Sequence, residues 1–96
     1  MSFEWDPRKA LENRLKHRVD FADAALALED ERAITIEDED HDERRFVTLG
    51  LDPLGRLLVV VTTWRAGNLR IISARKANRR ERKEYGESQY GEQEMP

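Results

Sequence analysis

Residues 57–85 read LLVVVTTWRAGNLRIISARKANRRERKEY, and this stretch decides the fold. Residues 57–61 are an unbroken apolar, β-branched run too short for a buried helix, as expected of a strand covered on both faces and therefore central in its sheet. Ala66-Gly67-Asn68 closes a hairpin into a further strand over 69–76. Asn78, with Glu81 three residues later, reads as a capping pair that starts a basic helix. From Arg65 to Lys83 the stretch carries eight Lys/Arg besides one acid, Glu81. Arg75 and Lys76 end the last strand just before that helix start, where cations and the partial positive charge of a helix N-terminus together suit a phosphate. The bland alternative is a solvated basic helix.

Working outward, Arg45–Leu51 reads as the preceding strand, and Asp52-Pro53-Leu54-Gly55 has the residue order of a type I turn. Residues 33–37 alternate and are β-branched, so they form the first strand. The acidic run 37–43 that follows lacks the spaced ligands and turn glycine of a calcium loop, and is read as a solvated loop with no metal. Toward the N-terminus, Asp6 and Pro7 start a helix over Pro7–His17, with Trp5 able to staple against Ala10. Asp20 starts a second helix, with Asp23 as a capping partner and Phe21, Ala25 and Leu28 on one face. Gly86 is the expected helix stop, leaving 87–96 as a loose polar tail outside a single domain at 3–86. The fold class is α+β: two N-terminal helices, a four-stranded antiparallel meander and a C-terminal helix.

The net charge of −3 conceals an asymmetry. Residues 1–43 hold six Lys/Arg against fourteen Asp/Glu, whereas residues 44–85 hold eleven against three. An acidic half joined to a basic half points to a polyanion-binding face. With no cysteine, disulfides, thiolate metal sites and cysteine nucleophiles are excluded, and the expectation is a cytoplasmic protein. The run 57–61 cannot span a bilayer, and the Met1 end lacks a signal-peptide pattern.

Several features add up to a family: FEWD at 3–6, Lys9-Ala10, Asn13 and Lys16-His17 before Val19 and Phe21, Arg44 and Arg45 before a strand reaching Gly50, and above all RIISARKA at 70–77 with Glu81-Arg82 and Tyr85. Together they resemble the BrnT-type toxins, ribonuclease halves of type II toxin–antitoxin systems similar in fold to RelE-like toxins. The resemblance spans about residues 3–85. It implies a metal-independent, cofactor-free endoribonuclease that arrests growth. It also implies a cognate BrnA-like antitoxin with a ribbon-helix-helix part in a 2:2 complex, touching DNA only through that antitoxin and no membrane. Relatives often carry His where this chain has Thr62, and a charged residue where it has Trp64. The other reading is a non-catalytic nucleic-acid-binding or degenerate module.

RNA cleavage through the 2′-OH needs a base, an acid for the 5′ oxygen and positive charge on the transition state, and of these the charge usually contributes most to the rate. Arg65, Arg75 and the helper Lys76 are the candidates for that charge, Glu81 and Tyr85 for proton transfer. Glu81 is better explained as the cap partner of Asn78, Tyr85 is equally a packing residue, and His17 reads as structural. Arg44, Arg45, Arg70, Arg79, Arg80 and Lys83 are the candidate RNA-binding cations. Strand alternation puts Leu69, Ile71, Ser73 and Arg75 on one face and Arg70, Ile72, Ala74 and Lys76 on the other.

Overall fold

The chain lays down β1 (Phe3–Glu4), α1 (Pro7–His17), α2 (Phe21–Ala27), β2 (Ile34–Asp38), β3 (Arg45–Leu51), β4 (Leu57–Arg65), β5 (Asn68–Lys76) and α3 (Arg79–Gln93). This computed structural model describes residues 3–39 and 43–93, with side chains as far as residue 88. Asp40, His41 and Asp42, the centre of the acidic run, lie outside the described residues. The sheet order is β1-β5-β4-β3-β2, with β4 central. The meander is antiparallel, but β1 joins it parallel to β5, Phe3 opposite Leu69 and Glu4 opposite Arg70. The expected four-stranded antiparallel sheet is thus a five-stranded mixed one. Two residues are too few to show a period-2 pattern, so β1 leaves no mark in the sequence.

The two faces of the sheet are covered differently. On one, α1 and α2 bury Val19, Phe21, Ala24 and Ala27 against Leu58, Val60, Ile71 and Ala74. On the other, Tyr85 from α3 packs on Leu49, Val59 and Ala77. The helices start where the local chemistry demands. Asp6 accepts from the Arg8 amide at 2.8 Å, with Pro7 at the first helical position. Trp5 packs edge-on to Phe21 at 6.1 Å between ring centroids. Asp20 makes no side-chain cap bond. Asp23 instead meets Arg56, which also binds the buried Asp52 carboxylate and the Arg18 carbonyl. The buried face of α2 is Phe21, Ala24 and Ala27, one step round from the face expected.

Two further departures have clear causes. Pairing runs Val61↔Ser73 and then Thr62↔Ile71, so Ile72 is an extra residue. Such a bulge reverses the alternation: Ile71 buries with Ala74 against α1 and α2, while Ser73 and Arg75 take the α3 side. The face assignment expected for β5 is corrected accordingly. In addition α3 does not stop at Gly86 but runs to Gln93. A helical glycine costs only about 1 kcal/mol relative to alanine, and the i,i+4 pairs Arg80–Glu84 and Lys83–Glu87 span this region.

Gly50 is where close approach requires glycine. A Cβ there would collide with the carbonyl oxygen of Ala27 at the end of α2. Gly50→Ala should therefore cost about 3 kcal/mol, the upper end of overpacking penalties. The check is urea denaturation, with a lower midpoint at unchanged slope.

Candidate nucleic-acid interface

Directly opposed residues of antiparallel strands share a face, so the register sorts the cations. On the α3 side of the sheet three rows cross four strands. The first is Ile34–Leu49–Val59–Arg75, the second Ile36–Val47–Val61–Ser73, and the third Asp38–Arg45–Thr63–Arg70. Arg65 follows two residues beyond Thr63 on the same side. Tyr85 covers the first row. The second is open, with Ile36 63% exposed and Val47, Val61 and Ser73 half-buried. An uncovered strip of sheet is therefore bordered by Arg75 on one side and by Arg45, Arg70 and Arg65 on the other. Rows lie two residues, roughly 6–7 Å, apart along a strand. By that measure Arg65 sits roughly 20 Å from Arg75. The two cannot hold one phosphate, which corrects the expectation that they act together; the surface is a track.

Arg75 is held in a fixed pose. Its Nη1 and Nη2 donate to the two carboxylate oxygens of Glu81 at 2.8 and 2.9 Å. Glu81 Oε1 also accepts from the Asn78 amide, and Asn78 Oδ1 accepts from the Glu81 amide, both at 2.8 Å. The capping pair read from sequence is present, and its carboxylate lies on the guanidinium. The bond to Arg75 keeps the Glu81 carboxyl below its ordinary range, making it a weak base, and Glu81 raises Arg75 in turn. The start of α3 is consequently not an open anion site. Arg75 itself remains 43% exposed.

Tyr85 is committed to another task. Its hydroxyl donates to Asp30 Oδ2 at 2.6 Å, and the same oxygen accepts from the Leu51 amide at 2.9 Å. Burial and the Asp30 bond push the phenol up to about 12. The phenol latches α3 to the α2–β2 connection, and no local signal joins residues 55 apart in sequence. Because the folded chain holds this proton more tightly than the unfolded one, the associated stability is full below the ordinary value of 10.0 and is lost as pH rises through about 12. Ultraviolet titration in a Tyr90→Phe background should give that high value, and Asp30→Asn should bring it part of the way back.

The remaining candidates scatter. Lys76 is opposite Leu58 and faces the α1/α2 side, as alternation from Arg75 requires. Arg44 also lies there, bonded to Glu37 through Nε and Nη2 at 3.0 and 2.9 Å and stacked over the Phe46 ring at 5.4 Å. Arg70 is 3.7 Å from Glu4. Arg79, Arg80 and Lys83 are exposed on α3, the last two facing Glu84 and Glu87. Thr62 is buried in a cleft of about 230 Å³ with Phe3, Leu28, Phe46 and Trp64. That cleft is on the face away from Arg75, so Thr62 takes nothing from the arginine-lined strip.

A family model described as the ribonuclease toxin BrnT of type II toxin–antitoxin systems matches residues 5–81, from α1 into the first turn of α3 and including Arg75 and Glu81. Among solved structures, the chain is similar to the ribonuclease toxin BrnT of Brucella abortus. The identity is 26%, with 82% of this chain and 99% of that chain covered at a TM-score of 0.66. No curated protein matches. The match over most of the domain settles the family: this chain belongs to the BrnT ribonuclease toxins of type II toxin–antitoxin systems.

Proposed function

We propose that the chain is a metal-independent endoribonuclease that cleaves RNA on the α3 side of its sheet, arrests growth, and is neutralised there by a cognate antitoxin. The observation that carries this is the uncovered strip Ile36–Val47–Val61–Ser73 bordered by Arg45, Arg65, Arg70 and Arg75. Sheet surface with apolar centres and arginine borders suits single-stranded RNA, whose bases stack and whose phosphates need cations. In this reading Arg75 holds the scissile phosphate by its exposed edge and stabilises the charge that builds as the 2′-OH attacks and the 5′ oxygen leaves. Glu81 is a positioning residue that fixes the guanidinium. Tyr85 keeps α3 seated. Arg70, Arg45 and Arg65 hold successive flanking phosphates, while Arg79, Arg80, Lys83, Arg44 and Lys76 add long-range attraction. The rate then comes from positioning and charge more than from a strong general base.

The family supplies the partner, an antitoxin. We assign it a BrnA-like, ribbon-helix-helix character, 2:2 stoichiometry and sole responsibility for DNA contact, in the cytoplasm. A RelE-like kinship of the fold belongs to the same reading, supported by the order helix, helix, meander, helix. One observation favours the second reading, a non-catalytic RNA-gripping module: both Glu81 and Tyr85 are engaged in internal bonds. Induced expression decides. An active toxin arrests growth and is rescued by co-expression of the antitoxin gene; growth unaffected by the toxin alone supports the module. In vitro, RNA affinity should fall steeply with salt, and Arg79→Gln/Arg80→Gln should flatten that dependence.

A further inference from the structure

The N-terminal half of the chain is acidic in sum, yet one face of α1 is not. Lys9, Asn13, Lys16 and His17 lie at helical spacing and line a groove of about 300 Å³ whose other wall is Ile72 and Ser73 of β5. Glu12, the acid in this lining, is 3.9 Å from Arg8. Neither lysine has an acidic partner among the described residues. The groove exists because β1 pairs with β5 only over Leu69 and Arg70, so β5 is an open edge from there on. Asn13 stands in for the missing strand at Ala74: its Nδ2 donates to the Ala74 carbonyl at 2.8 Å, and its Oδ1 accepts the Ala74 amide at 3.0 Å. That double bond holds α1 at a fixed distance from the edge, with a lysine one turn to either side of it.

Ser73 belongs both to this groove and to the open row Ile36–Val47–Val61–Ser73. Two residues beyond it, on the same face, is Arg75. The bulge at Ile72 is what parts Ser73 from Ile71, which is buried on the opposite face. We propose that the groove between α1 and the open edge of β5 binds the sugar–phosphate backbone of the RNA segment flanking Arg75, with Lys9 and Lys16 as the phosphate contacts. This rests on the RNA-cleaving reading above and extends it: the strand crosses from the α3 side, over Ser73, onto the N-terminal helix. Two lysines about ten ångströms apart along a helix, seven residues at roughly 1.5 Å each, meet two separate phosphates.

The test uses the full chain and a 2′-O-methylated oligouridine, which lacks the attacking hydroxyl and stays intact. Each phosphate contact on a single strand contributes about 0.7 to the slope of log affinity against log salt. Lys9→Gln/Lys16→Gln should lower that slope by about 1.4. Arg8→Gln/Arg14→Gln makes the same charge change on the same helix outside the groove, and should leave the slope near wild type. An unchanged slope in the lysine variant, or an equal loss in the arginine control, overturns the groove assignment. So does a lysine variant that loses antitoxin affinity while keeping its RNA slope, because the groove then serves a protein partner. Absence of salt-dependent RNA binding by the wild type overturns instead the reading on which the groove rests.

Discussion

Asn13→Leu is expected to destabilise the domain by about 3–5 kcal/mol, since each buried group left unpaired costs roughly 1–3 kcal/mol. Asn13 is 7% exposed and satisfies three buried backbone groups: the Ala74 amide, the Ala74 carbonyl and the Val19 carbonyl. Leucine keeps the volume and removes every partner. A chain of this size has only about 5–14 kcal/mol in total, and each kcal/mol moves Tm by about 4–8 °C. A fall of roughly 12–40 °C follows. Aspartate should do no better at neutral pH, because it places a charge against two carbonyl oxygens. A loss under about 1 kcal/mol would mean that water pairs the β5 edge as well as the amide does.

The elements that carry their own chemistry were legible in the sequence. The apolar run at 57–61 marked the central strand, the Asp52–Gly55 turn and Asp6-Pro7 marked boundaries, and Asn78 with Glu81 gave a cap that exists as read. What escaped depends on residues far apart in the chain. β1 is defined only by its partner across the fold. The bulge at Ile72 is invisible to alternation, because positions 71 and 72 are both isoleucine, and it is what puts Ile71 and Ser73 on opposite faces. Asp23 looked like a cap residue until Arg56 claimed it. The candidate site was readable as a set of cations but not as a surface: alternation parts Lys76 from Arg75, but only the register across strands puts Arg45, Arg65 and Arg70 on the side of Arg75 and leaves Arg44 on the other. Composition also hid the cationic face of α1, since its lysines are outnumbered by acids elsewhere in the N-terminal half.

Arg75→Ala should abolish toxicity and lower RNA cleavage by something on the order of 10²–10³, the loss typical of one preorganised donor to developing charge. Its guanidinium is held by Glu81 through paired bonds, while 43% of the side chain faces solvent. Arg75→Lys should rescue only in part, because an ammonium keeps the charge and loses the bidentate geometry. Glu81→Gln should show the opposite balance, retaining measurable cleavage but weakening the α3 cap and the pose of Arg75. Since Glu81 is depressed in the folded chain, the stability it contributes is full above the ordinary carboxylate value and is lost as pH falls through its lowered one.

The bland account of the same contacts is that Arg75 anchors α3 and nothing else. Initial cleavage rates of wild type and Arg75→Ala, measured on the same purified preparations whose melting curves fix the folded fraction, separate the two accounts. A loss of about 10²–10³ in rate per folded molecule is the result expected if the α3 side of the sheet is the ribonuclease site. A lowered Tm with an unchanged rate per folded molecule would contradict it.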